Sequence, residues 1–156
     1  MPAITSQFDS EGALSLKAFK NNLTHQIKAG VHGIILGGTL GEASTLTISE
    51  KESLLKTTLE QVEGKIPVIM NIAEQSTDHA VGSAKAAETN GASGLMLLPP
   101  MRYKATEIET VAYFSAVALS TSLPIMIYNN PVDYKIEVTL DMFEAIRKHE
   151  NITAVK

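Results

Sequence analysis

Short apolar, β-rich runs return about every 30 residues in this chain, and a stretch of helical spacing fills each interval. The runs are Gly33-Ile34-Ile35-Leu36, Val68-Ile69-Met70, residues 95–98, Ile125-Met126-Ile127-Tyr128 and residues 152–155, with a weaker one at residues 2–5. Strands that alternate with helices pair in parallel, because each return crosses back over the sheet. The runs are almost wholly apolar, as strands buried on both faces must be. Two α/β architectures fit: an open doubly wound sheet, and a (β/α)8 barrel interrupted after its sixth strand.

The intervals carry helix signals of their own. Leu16, Phe19, Leu23 and Ile27 place a helix over Leu16–Lys28, stopped by Gly30. Ser49, with Glu52 three residues on, reads as a capping box for a helix running to about Glu63. Thr77 or Asp78 caps an alanine-rich helix ending near Asn90-Gly91. Residues 105–120 form a helix with Val111, Phe114, Val117 and Ala118 on one side. Residues 138–149 form another, with Leu140, Phe143 and Ile146 turned inward. The expectation is one domain over residues 1–156: βα units one to five plus strand six.

Composition narrows the function classes. With 44% hydrophobic residues the 156-residue chain is no disordered segment. Its 13 basic and 17 acidic residues give a net charge of −4 without a basic cluster, which argues against a nucleic-acid partner. The apolar runs are far too short to span a membrane. The opening Met1-Pro2-Ala3-Ile4-Thr5 does not read as a signal peptide, so a cytoplasmic protein is expected. The absence of cysteine rules out disulfides, thiolate zinc sites and cysteine nucleophiles. His25, His32, His79 and His149 are scattered without ligand spacing, and no metal is expected.

Active sites of parallel α/β folds lie beyond the C-terminal strand ends, and the unusual residues gather there: 37–42, Asn71, 99–103, 128–131 and Lys156. Gly37-Gly38-Thr39-Leu40-Gly41-Glu42 is either a tight βα turn or a cradle whose backbone N–H groups hold a carboxylate beside the Thr39 hydroxyl. It matches neither the dinucleotide fingerprint nor the P-loop. Tyr128 ends a strand and reads either as a core residue with its hydroxyl at the rim or as a catalytic group. Lys156 closes the run Ile152-Thr153-Ala154-Val155. A lysine there either snorkels to water or, in the mouth of a closed barrel, is desolvated into a nucleophile.

Taken together, Gly38-Thr39-Leu40-Gly41-Glu42, Tyr128-Asn129-Asn130-Pro131 and Lys156 resemble, in order and separation, the motifs of the pyruvate-dependent class I aldolases. That family includes dihydrodipicolinate synthase and N-acetylneuraminate lyase. The resemblance covers essentially the whole chain. It implies a (β/α)8 barrel, a homo-oligomer (tetramer or dimer), a 2-oxo acid substrate and no dissociable cofactor. It also implies roles: Lys156 forms a Schiff base with the 2-oxo acid, Tyr128 shuttles protons, and Thr39 links the tyrosine to the carboxylate region. Gly38, Thr39 and Leu40 hold the substrate carboxylate.

Three departures point away from the lysine-biosynthetic synthase, 4-hydroxy-tetrahydrodipicolinate synthase, which stays as the alternative. Leu40 replaces the second hydroxyl residue of the turn. Pro99-Pro100-Met101-Arg102-Tyr103 stands where the synthases carry paired tyrosines. Pro131-Val132-Asp133 stands where they place an arginine, whose bidentate fork an aspartate cannot supply. A lyase, dehydratase or deaminase of a hydroxylated 2-oxo acid is the expectation. Family chains run to about twice this length, so the chain reads as the N-terminal half, inactive alone because without strands seven and eight Lys156 sits on an unpaired edge. As a further alternative, an open sheet edge would make such a half an association module.

Overall fold

The computed structural model describes residues 1–100 and 103–156; Met101 and Arg102, in the stretch that departs from the paired tyrosines, lie outside the described residues. The architecture is α/β, in two compact units: Met1–Asn71 with Asn90–Ser93, and Ile72–Thr89 with Gly94–Lys156.

The first unit holds α1 (Leu16–Lys28), β1 (Ile34–Leu36), a 3-10 turn (Thr39–Gly41), α2 (Ile48–Val62) and most of β2 (Val68–Ile72). Ser15 starts α1 by accepting a hydrogen bond from the Ala18 amide, and Gly30, at φ +77°, lets the chain turn out of it. Phe19 and Leu23 form the buried stripe of α1, which packs on α2. Strand β1 is buried at every position and pairs in parallel with β2, Ile34 opposite Val68 and Leu36 opposite Met70. The run at residues 2–5 forms a single parallel bridge, Ala3 to Ile35, rather than a full strand. Pro2 contributes only its carbonyl, accepting from the Ile35 amide at 2.9 Å, because proline has no N–H for the ladder.

The second unit holds α3 (Thr77–Thr89), β3 (Gly94–Leu97), α4 (Glu107–Ala118), β4 (Ile125–Ile127), α5 (Pro131–Tyr134), α6 (Leu140–Ile146) and β5 (Ile152–Val155). Strand β4 lies between β3 and β5, parallel to both. Strand β3 is buried throughout, whereas most of β5 is exposed. Phe114, Val117 and Ala118 fill the inner face of α4, with Tyr113 and Thr110 beside them.

Several boundaries differ from the sequence reading. Helix α2 begins two residues earlier, because the capping box is Thr47 with Glu50, not Ser49 with Glu52. Ser76 supplies the hydroxyl that receives the His79 amide at the start of α3, ahead of Thr77 and Asp78. Helix α4 is shorter than residues 105–120, cut at its start by the box Thr106–Glu109. Helix α6 spans only Leu140–Ile146, and Leu140 is 85% exposed: the buried side chains are Met142 and Ile146 with Ile136 and Val138 before them. The four-residue α5 follows from Pro131 at its first position, where a missing N–H costs nothing.

The two Thr–Glu boxes carry a testable difference. At Glu50 the Thr47 hydroxyl, then the Thr47 amide, holds the carboxyl below its usual range; at Glu109 the Thr106 amide comes first and the hydroxyl second. A depressed carboxyl stabilises the fold above its unfolded value, near the usual 4.5, and that stability is lost as pH falls through the lower folded value. Thr47→Ala and Thr106→Ala should each cost about 1 kcal/mol at neutral pH, read by urea denaturation. As pH falls through the usual 4.5 and below, the acid-induced loss should flatten more in Thr47→Ala than in Thr106→Ala.

Candidate active site

In the first unit, the glycine-rich turn after β1 is built from close backbone approaches. Gly37 sits at φ +62°, and a side chain on Gly41 would meet the Ile4 carbonyl oxygen at 2.9 Å. The turn closes on itself through Gly41 N–H to the Gly38 carbonyl and Glu42 N–H to the Thr39 carbonyl. Glu42 follows in the left-handed region at φ 59°. Two outside side chains pin it: Ser6 Oγ donates to the Gly41 carbonyl at 2.9 Å, and buried Asn71 donates Nδ2 to the Gly37 carbonyl at 2.7 Å. The Asn71 Oδ1 is buried without a hydrogen-bond partner among the described residues. Leu40 is 80% exposed, so what this residue offers the turn is its backbone. Gly38, Thr39 and Leu40 thus stand together on a rigid turn.

In the second unit, β4 and β5 bring Lys156 to Tyr128. Ile152 lies opposite Ile125, but Ala154 lies opposite Met126, so Thr153 is an extra residue, a β-bulge. Past the bulge, Val155 faces Ile127. Lys156 N–H then donates to the Ile127 carbonyl, and its own carbonyl accepts from the Asn129 amide, both at 2.9 Å. That ladder sets Lys156 beside Tyr128, and the Lys156 Nζ lies 4.6 Å from the centroid of the Tyr128 ring. The contact is a cation–π interaction, which orients the lysine side chain over the aromatic face.

Three further residues, Asn129, Asn130 and Tyr134, without a role in the sequence reading, complete this cluster. Asn130 Nδ2 donates to the Tyr128 hydroxyl at 3.2 Å and to Asp133 Oδ2 at 2.7 Å, while its Oδ1 accepts from the Asp133 amide. The Tyr134 ring meets Tyr128 edge-on, with centroids 5.8 Å apart. Asn129 holds the loop shut: its side-chain amide exchanges two 3.0 Å hydrogen bonds with the Val138 carbonyl and amide. Asn129 and Asn130 stand inside the motif that singled out Tyr128, and their polarity beside a strand end was the available signal. Tyr134 gave none, because α5 itself was unforeseen.

Two titratable groups outside this cluster are shifted by structural contacts. Glu88 is held below the usual carboxylate range chiefly by the Ser122 hydroxyl and then by Thr121, tying α3 to the turn before β4. Burial, helped by the Glu74 charge, pushes the Tyr113 phenol up. Among the described residues, no three His, Cys, Asp or Glu side chains gather as a metal site, and no helix is long and apolar enough to cross a membrane.

Comparison with known proteins bears on this geometry. The profile of the dihydrodipicolinate synthetase family matches residues 1–156. A 4-hydroxy-tetrahydrodipicolinate synthase of Exiguobacterium sibiricum is 35% identical over 99% of this chain, which covers 53% of the relative. The synthase structure from Methylacidiphilum fumariolicum superposes with a TM-score of 0.94 at 35% identity, over 99% of this chain and 51% of that one. A prophage protein of E. coli K12, belonging to the dihydrodipicolinic acid synthase family and solved in complex with pyruvate, superposes at 0.93 with 26% identity, over 99% and 52%. The chain spans about half the length of the curated relatives it matches. Its fold class is α/β, the βα units of a (β/α)8 barrel.

The Asn129 clamp is open to test. Asn129→Ala removes two hydrogen bonds and leaves the Val138 amide and carbonyl without these partners, so it should destabilise the second unit by about 2 kcal/mol. Limited proteolysis should then cut between residues 130 and 137 faster than in the unsubstituted protein.

Proposed function

Because the chain belongs to the dihydrodipicolinate synthetase family, we propose that it carries the imine-forming centre of a lyase acting on a 2-oxo acid. The observation that carries this reading is the placement of the Lys156 amine over the Tyr128 ring. Lys156 gives one proton to solvent, and the neutral amine attacks the 2-oxo carbon through Nζ. The former carbonyl oxygen takes one proton from the amine and one from the Tyr128 hydroxyl and leaves as water. This gives a protonated imine and a phenolate. The phenolate then takes the proton from C3, giving a neutral enamine and restoring the phenol. The positive imine is the electron sink that makes C3 acidic and lets a bond at C3 or C4 break. To the turn at Gly38, Thr39 and Leu40 we assign the substrate carboxylate, held through backbone N–H groups beside the Thr39 hydroxyl.

The substrate class follows from Asp133. A carboxylate tied to Asn130 offers no cationic fork to a second acidic substrate. We therefore favour aldol cleavage, dehydration or deamination of a hydroxylated 2-oxo acid. The names of the relatives favour a second reading, condensation of pyruvate with aspartate semialdehyde. We place the protein in the cytoplasm as a homo-oligomer, each subunit one barrel domain.

Two measurements test this. The full-length protein, treated with pyruvate and borohydride, should gain a pyruvate-sized mass on Lys156, and Lys156→Ala should abolish it; an adduct on another lysine removes the mechanism. A coupled reductase assay with pyruvate and aspartate semialdehyde should show no synthase turnover; a normal rate would establish the second reading.

A further inference from the structure

Within that reading, and resting on it, we infer that Asn130 is a positioning residue for the proton transfers of Tyr128, and that Asp133 fixes the orientation in which it works. Asn130 has two amide hydrogens, and both are used: one on the Tyr128 hydroxyl oxygen and one on Asp133 Oδ2. Its carbonyl oxygen takes the Asp133 amide. A flip of the side chain would lose both Asp133 bonds, because Asp133 offers an acceptor where Nδ2 lies and a donor where Oδ1 lies, and the phenol alone, able to donate or accept, would not resist it. The NH2 group is therefore held toward the phenol.

This has two effects on Tyr128. A phenol oxygen that already accepts a hydrogen bond must aim its own proton elsewhere, which narrows the directions open to it. When that proton leaves, the Asn130 N–H faces a phenolate, and a hydrogen bond to a charged acceptor is stronger than one to the neutral form. The contact therefore gains strength as charge develops, the condition for acting on the rate rather than on binding alone. The ring is held from its edge by Tyr134 and on its face by the Lys156 amine, so the oxygen is the part of Tyr128 that Asn130 controls.

The test separates imine formation from proton transfer, using pyruvate alone in the full-length protein. Borohydride trapping reads the Lys156 imine. Loss of the pyruvate methyl signal in D2O by proton NMR reads the C3 proton leaving to Tyr128 and a deuteron returning. Asn130→Ala removes the donor. Asn130→Asp keeps the shape and the acceptor for the Asp133 amide but, ionised, has no N–H to give. Both should keep the trapped adduct at saturating pyruvate, with exchange slowed about 10- to 100-fold, a loss in kcat rather than KM. Exchange within twofold of the unsubstituted rate in both variants would overturn the assignment. So would parallel loss of adduct and exchange in both, which marks a structural role. Absence of adduct in the unsubstituted protein is a different failure: it removes the imine reading, and this inference with it.

Discussion

One extra residue in a four-residue strand decides where the lysine goes. Side chains alternate faces along a strand, so a slip of one position reverses every residue beyond it. Without the bulge at Thr153, Val155 would stand opposite Tyr128 and the lysine one step further along, on the other face. With it, Lys156 pairs through its backbone with Ile127 and Asn129, and its amine reaches the Tyr128 ring. The chemistry proposed for the pair depends on that register. The register in turn depends on β4, a three-residue strand held on both sides by parallel neighbours.

The strands were plain in the sequence as short apolar runs, β1 and β3 buried at every position, and the long helices as helical spacing of apolar residues. Leu16–Lys28 and Ile152–Val155 fall where the spacing put them. What escaped was set by competition between local signals. Thr47 and Ser49 are both hydroxyl residues with a glutamate three positions on, and only the backbone path chose the first. Leu140 keeps helical spacing with Phe143 yet is exposed, since α6 ends after seven residues and packs through Met142 and Ile146. Within the site, the lysine–tyrosine pairing could be expected from two strand ends, but the bulge that aims the lysine could not. Thr153 looks like any β-branched strand residue until a partner strand refuses it a place in the ladder.

The turn of the first unit and the tyrosine–lysine pair of the second rest on different kinds of order. The turn at Gly37–Glu42 is fixed by main chain: tight φ values, a contact no side chain would permit at Gly41, and hydrogen bonds to carbonyls. The tyrosine and lysine are fixed by side chains: an amide, a carboxylate and a second aromatic ring. Substitutions in the first are limited by sterics, whereas those in the second are limited by which donors and acceptors remain matched.

Asn129 imitates a peptide unit. Its side chain gives one hydrogen bond to Val138 and takes one back, as a neighbouring strand would, and so closes a loop at its neck. A loop closed at its neck keeps its two ends at a fixed separation, so a change at Val132 or Lys135 is absorbed inside the loop, whereas Asn130, Asp133 and Tyr134 answer to the tyrosine they hold.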